Sequence, residues 1–144
     1  MTDLEQLENE AYENNIDIVD YPFRNQRIKG LYCDGTVALN HTLKNTTERK
    51  CILAEELGYH YTASGNIPGN GIASAKQEAR GRIFAYNKLI GLSGLISAYK
   101  SGCKSLYEVS EYLDVTESFL SEALTNYRQK YGVCATVKRM LLNL

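Results

Sequence analysis

The spacing of apolar residues along the chain changes between helical and strand periods, and this predicts the first elements. Residues 2–14 place apolar side chains at helical spacing and form a short acidic helix. Residues 16–19 alternate like a strand. Residues 28–33 and 36–40 are β-prone runs, and Asp34-Gly35 between them suits a tight hairpin turn. A small antiparallel sheet is therefore expected.

The rest of the pattern is mostly helical. Asn45 followed by Glu48 has the form of a capping box, which begins a helix predicted to run to about residue 61. Turn-forming residues over 64–71 predict a loop. Further helices are expected at about 73–89, 93–99, 106–113 and 117–130, and residues 133–144 form either a strand or a short helix. The sequence thus predicts an α+β fold in a single domain, with a core in residues 1–91 and a helical tail in residues 92–144.

Composition narrows the class of protein. A chain of 144 residues with 44% hydrophobic content suits one globular domain, and a formal charge of −1 gives no excess that favours nucleic acid or anionic membranes. The four cysteines are widely spaced without a C-x-x-C pair, as in reduced proteins. Five acids in the first 13 residues argue against a signal peptide, and no apolar run approaches the roughly 20 residues of a membrane span. A soluble, cytoplasmic protein is expected.

Two polar residues lie near the middle of the apolar face of the helix at 45–61. This face carries Leu53 and Leu57, and helical spacing puts Glu56 and His60 beside them. Burying an unpaired carboxylate costs on the order of several kcal/mol. Glu56 therefore needs a hydrogen-bond partner, a cation or a cleft. Two interpretations stay open: an acidic cleft beside the core, or a Glu56–His60 pair at i,i+4.

The segment R-K-C-I-L-A-E-E-L-G-Y-H, residues 49–60, resembles the helix on which the ImmA/IrrE family of zinc-dependent metallo-endopeptidases carries its H-E-x-x-H motif. Glu56 matches the glutamate that acts as general base in such sites. Glu55 and Tyr59 occupy the two histidine positions. Glu78 matches the third ligand in a pattern like E-x-x-A-x-x-F-A-x-x-L-L, with Gly81 in place of the alanine. The implied cofactor is zinc.

The replaced histidines change the chemistry that the resemblance implies. A carboxylate such as that of Glu55 can ligate zinc, whereas a tyrosine phenol, with a reference pKa of about 10, is a poor ligand when protonated. His60 follows Tyr59 directly and is rotated from it by about 100°, so it reaches the metal only if the helix end frays or the metal shifts. From the residues alone, Glu78 has an alternative role in a salt bridge to Arg82.

The resemblance extends beyond these helices. Residues 29–40 resemble the family's sheet segment, in which an edge strand runs beside the active-site cleft, so a zincin-like helical core is expected. Residues 106–124 have the outline of a helix-turn-helix. Residues 104–130 carry three basic and five acidic side chains, a balance of −2 that disfavours DNA and favours a packing or partner-binding role. His41 and the cysteines are not expected to be ligands.

Two functions follow from this resemblance. The first is a metallopeptidase, a phage or mobile-element hydrolase that cleaves a transcriptional repressor, with a metal held by Glu55, Glu78 and either His60 or Tyr59 while Glu56 activates water. The second is an inactive pseudo-peptidase that keeps the cleft and regulates a protein partner by binding alone. Neither function involves a membrane or nucleic acid.

Overall fold

The computed structural model describes residues 2–62 and 75–131, and the chain divides into two compact units, Met1–Ala85 and Tyr86–Leu144. The fold is α+β, as predicted. The loop expected at 64–71 and the element expected at 133–144 lie outside the described residues. The elements in chain order are α1 (Asp3–Glu13), β1 (Asp17–Tyr21), β2 (Gly30–Cys33), β3 (Thr36–Asn40), α2 (Thr46–Thr62), α3 (Ala75–Leu89), α4 (Gly91–Lys100), α5 (Leu106–Leu113) and α6 (Glu117–Tyr131).

The sheet has the strand order β1-β3-β2 and is mixed, which corrects the expected antiparallel sheet. β2 and β3 form the predicted antiparallel hairpin, and Asp34 and Gly35 in its turn have φ values of 45° and 77°. β1, however, pairs parallel with β3. The eight residues between β1 and β2 carry the chain to the far edge, so the hairpin returns β3 to the middle. Strand propensity does not specify this order.

One face of the sheet packs on α2. Tyr32 of β2 and its partner Val37 of β3 are buried, as is Leu39, which pairs with Gly30. A Cβ atom on Gly30 would lie 2.7 Å from Cγ2 of Ile52 in α2, so the strand and the helix are in close contact there. The core of the first unit follows from this packing. Its fully buried side chains include Val37, Leu39, Leu53, Ala54 and Leu57.

Helices α2 and α3 cross at two glycines. A Cβ on Gly58 would lie 2.4 Å from the carbonyl oxygen of Gly81, and one on Gly81 would lie 3.0 Å from the carbonyl oxygen of Glu55 and 3.0 Å from the backbone nitrogen of Tyr59. Any side chain at either position would therefore press on the backbone of the other helix. The glycine that replaces alanine in the family-like pattern of α3 is required by this contact.

The second unit packs α4 with α5 and α5 with α6. Ser105 caps α5 by accepting a hydrogen bond from the Glu108 N–H, and Asp114 ends it in the left-handed region with φ of 53°. The helices expected at 106–113 and 117–130 are present, while their use as a helix-turn-helix stays a prediction. Among the described residues, no helix is both long and apolar enough to cross a membrane.

Candidate functional site

An open cleft of about 200 Å³ lies in the first unit, where the edge strand β2 meets α2 and α3. Its position follows from the packing above: β2 is at the edge of the sheet, and the glycine contact holds α3 against α2. Three carboxylates and one cation contribute to its walls, so the cleft is acidic. The lining residues are Gly30, Leu31 and Tyr32 of β2, Glu55, Glu56 and Tyr59 of α2, and Glu78 and Arg82 of α3.

The structure brings together four of the five residues singled out from the sequence. Glu55, Glu56, Tyr59 and Glu78 all line this cleft. His60 does not line it, because its ring faces Tyr32 and its Nδ1 shares a hydrogen bond of 2.6 Å with the Tyr32 hydroxyl. The metal role proposed for His60 therefore finds no support in this arrangement.

Tyr32 satisfies both polar groups that the sequence placed on the apolar face of α2. Its backbone N–H donates to the Glu56 carboxylate, and its hydroxyl bonds to His60. The Glu56–His60 pair, one of the two interpretations left open by the sequence, is replaced by two separate bonds to one residue of β2. The Tyr32 hydroxyl also accepts a hydrogen bond of 3.1 Å from the Gly35 N–H. The sequence signal for this role was weak, since it consists only of a tyrosine in an inward position of a strand.

The electrostatics of the cleft hold Glu56 partly protonated at neutral pH. Burial raises its pKa from 4.5 to about 7, and the charges of Glu55 and Glu78 add to the rise, while the Tyr32 N–H opposes it. Burial also raises the pKa of Tyr59 above 10, with Glu78 and Glu56 contributing. The phenol of Tyr59 therefore stays protonated near neutral pH.

The described residues of the cleft offer zinc carboxylates but no imidazole or thiolate. Structural and catalytic zinc sites use thiolate, imidazole and carboxylate ligands in close tetrahedral arrangements. Here the two histidine positions hold a carboxylate and a protonated phenol, and the one nearby imidazole, that of His60, is bonded to Tyr32. In the part of the chain that the structure describes, no three His, Cys, Asp or Glu side chains are grouped to hold a metal ion.

Comparison of the chain with protein-family models, curated proteins and solved structures gave no match. The resemblance in residues 49–60 and around Glu78 thus stays a prediction from motif residues. The cleft is defined by the structure independently of this resemblance: the motif positions lie on one wall and the edge strand β2 on the other.

Removing the Tyr32 hydroxyl tests how β2 is fixed to α2. Tyr32→Phe leaves His60 Nδ1 and the Gly35 N–H without this partner, so a loss of about 1 kcal/mol in the free energy of unfolding is expected. Urea unfolding measures it. Because the chain has only two histidines, NMR would also show the His60 ring signals moving while those of His41 stay. Tyr12→Phe, at a residue that is 81% exposed, is the control, and equal stability of the two variants would contradict the assignment.

Proposed function

We propose that this protein is a metallopeptidase-like binding module that holds an extended peptide segment of a protein partner in the acidic cleft and does not hydrolyse it. The observation that carries this proposal is the chemistry of the motif positions. Glu55, Glu56, Tyr59 and Glu78 share one cleft, as in a peptidase, but Tyr59 presents a protonated phenol where the motif needs an imidazole.

The edge of β2 supplies the second half of the proposed peptide site. The Asn40 N–H donates to the Lys29 carbonyl, so Leu31 and Cys33 direct their backbone groups toward β3 in the alternating antiparallel ladder. Gly30 and Tyr32 direct theirs outward, toward the cleft that they line, and the Tyr32 N–H is already bonded to Glu56. An extended peptide can pair with the backbone groups of Gly30 and with the Tyr32 carbonyl, and lay its side chains against the carboxylates. By the resemblance, the partner is a transcriptional repressor of a phage or mobile element.

The first experiment separates binding from hydrolysis. The protein is loaded with excess zinc, desalted and analysed for metal, and β-casein is added as an unstructured substrate. We expect far less than one equivalent of zinc and intact casein. Stoichiometric zinc that Glu78→Ala removes, with casein cleavage that Glu56→Gln abolishes, would show that the cleft is a working peptidase site and would overturn the proposal.

Binding itself is tested by selection from a random peptide library on immobilised protein. The wild type is expected to enrich a set of peptides. Glu78→Arg is expected not to enrich this set, because the substitution reverses the charge of one side chain in the cleft. Glu111→Arg, an exposed acid of α5, makes the same charge change elsewhere and serves as the control. Enrichment that Glu78→Arg leaves unchanged would place binding elsewhere on the chain.

Restoring the two imidazoles tests the orientation of α2. The double change Glu55→His and Tyr59→His gives the helix the full H-E-x-x-H motif, with both new side chains in the cleft beside Glu78. Because imidazole is a far better zinc ligand than a protonated phenol, affinity for zinc is expected to rise by orders of magnitude. Isothermal titration with zinc measures this. No gain in affinity would mean that these positions do not face a common point.

A further inference from the structure

The outer edge of β1 is a second unpaired strand edge, separate from the cleft. The Asp17 N–H donates to the Gly35 carbonyl, and the Tyr21 carbonyl accepts from the His41 N–H. In a parallel ladder these residues, with Val19 between them, direct their backbone groups toward β3. The backbone groups of Ile18 and Asp20 therefore point outward. No strand among the described residues pairs with them.

The β1 edge carries exposed apolar side chains, whereas most edge strands have features that prevent pairing with another chain. Natural edge strands are blunted by charged side chains, especially lysine, by proline or by bulges, which prevent pairing with another chain. β1 contains no lysine, proline or bulge, its two charged side chains are aspartates, and Val19 and Tyr21 are 43% and 52% exposed. Val19 pairs with the half-buried Ala38, which in turn pairs with Leu31, so an apolar row with two exposed ends crosses the sheet face opposite α2.

A groove of about 330 Å³ runs beside the same edge, between α1 and β1. Tyr12 of α1, which is 81% exposed, forms part of its wall. Arg49 is the one cation among the lining residues, and its guanidinium is already bound to Asp20 at 2.8 Å. The groove therefore has an acidic character and an aromatic wall. The lining residues are Glu8, Tyr12, Ile16, Asp17, Ile18 and Arg49.

We propose that the outer edge of β1 receives an extended, basic peptide segment of a partner protein as a fourth strand, with alternate side chains directed to the groove and to the apolar row. The acidic residues around the groove favour a basic peptide over other occupants. α1 carries five acids and no base, and Glu8 and Asp17 line the groove. A second copy of this chain would bring two such acidic edges together, which like charge opposes.

The probe is a capped peptide of alternating Lys and Val, compared with one of alternating Glu and Val, each titrated into the full chain by fluorescence anisotropy. The Lys-Val peptide is expected to bind at least about tenfold more tightly, since each groove-facing side chain meets an acidic wall. N-methylation of every second residue of the Lys-Val peptide removes its strand donors and is expected to abolish binding. Retained binding after N-methylation would overturn strand addition.

Hydrogen exchange locates the bound peptide. The amides of Ile18 and Asp20 are expected to gain protection, whereas that of Val19, which faces β3, is expected to change little. Glu8→Lys is expected to weaken binding at least about tenfold, and the matched change Glu13→Lys, on α1 but outside the groove, by less than about threefold.

Three further results would overturn the proposal. Protection confined to the β2 edge would assign the basic peptide to the cleft, and equal effects of Glu8→Lys and Glu13→Lys would leave only a general charge attraction. Concentration-dependent dimerisation by sedimentation, with protection of Ile18 and Asp20 in the absence of peptide, would make a second copy the occupant. Because β1 contributes nothing to the cleft, these outcomes are independent of the proposed function.

Discussion

Glu56→Gln is expected to make the protein more stable than the wild type above neutral pH, by about 3 kcal/mol. The Glu56 pKa is 4.5 when unperturbed and about 7 in the fold, so the folded state keeps a proton that the unfolded state releases between these values. Stability from this group is complete below pH 4.5 and is lost as the pH rises through 7. The difference of 2.5 units corresponds to about 3 kcal/mol. Glutamine keeps an oxygen that can accept the Tyr32 N–H and has no charge to bury.

The measurement is urea unfolding of both proteins between about pH 4 and pH 8, in chelator, with the difference between variant and wild type plotted against pH. That difference isolates Glu56 from the other titrating groups. It should rise through the acid range and reach a plateau above pH 7. Glu111→Gln makes the same change at an exposed position of α5, outside the cleft, and is the control. A pH dependence for Glu56→Gln no larger than that for Glu111→Gln would show that the Glu56 carboxyl is solvated in the folded state.

Gly58→Ala is expected to destabilise the first unit by at least about 2 kcal/mol. The new Cβ would lie 2.4 Å from the Gly81 carbonyl oxygen and 2.9 Å from Cδ1 of Phe84, so helices α2 and α3 would have to separate. The backbone of α3 at Gly81 cannot rotate away from the new Cβ atom as a flexible side chain could. This loss outweighs the roughly 1 kcal/mol that alanine gains over glycine inside a helix.

Gly94→Ala, inside α4, is the matched control. Its Cβ would meet Cδ2 of Leu113 at 3.3 Å, the end of a flexible side chain, and the gain in helix propensity is the same. A change within about 1 kcal/mol of zero is expected there. Urea unfolding compares the two variants. Similar stabilities for Gly58→Ala and Gly94→Ala would mean that α2 and α3 are not held backbone to backbone.

Local pattern was sufficient to predict the helices and the hairpin. Helical spacing alone grouped Glu56 with His60, whereas the motif resemblance grouped Glu56 with Glu55, Tyr59 and Glu78, the residues that line the cleft with it. The parallel pairing of β1 could not be predicted, because it depends on where a connection crosses the sheet. The partner of His60 could not be predicted either, because the Tyr32 hydroxyl is 28 residues away in sequence and is brought near only by packing.

The contact between Gly58 and Gly81 also fixes the position of α3 along α2. If α3 slid by one residue along α2, the side chain of Arg80 or Arg82 would replace the hydrogen of Gly81 against the α2 backbone, where no Cβ fits without a shift. The same slip would rotate α3 by about 100° and replace the Glu78 carboxylate in the cleft with Gln77 or Ala79. Two residues without side chains thus determine which acid faces Glu55 and Glu56.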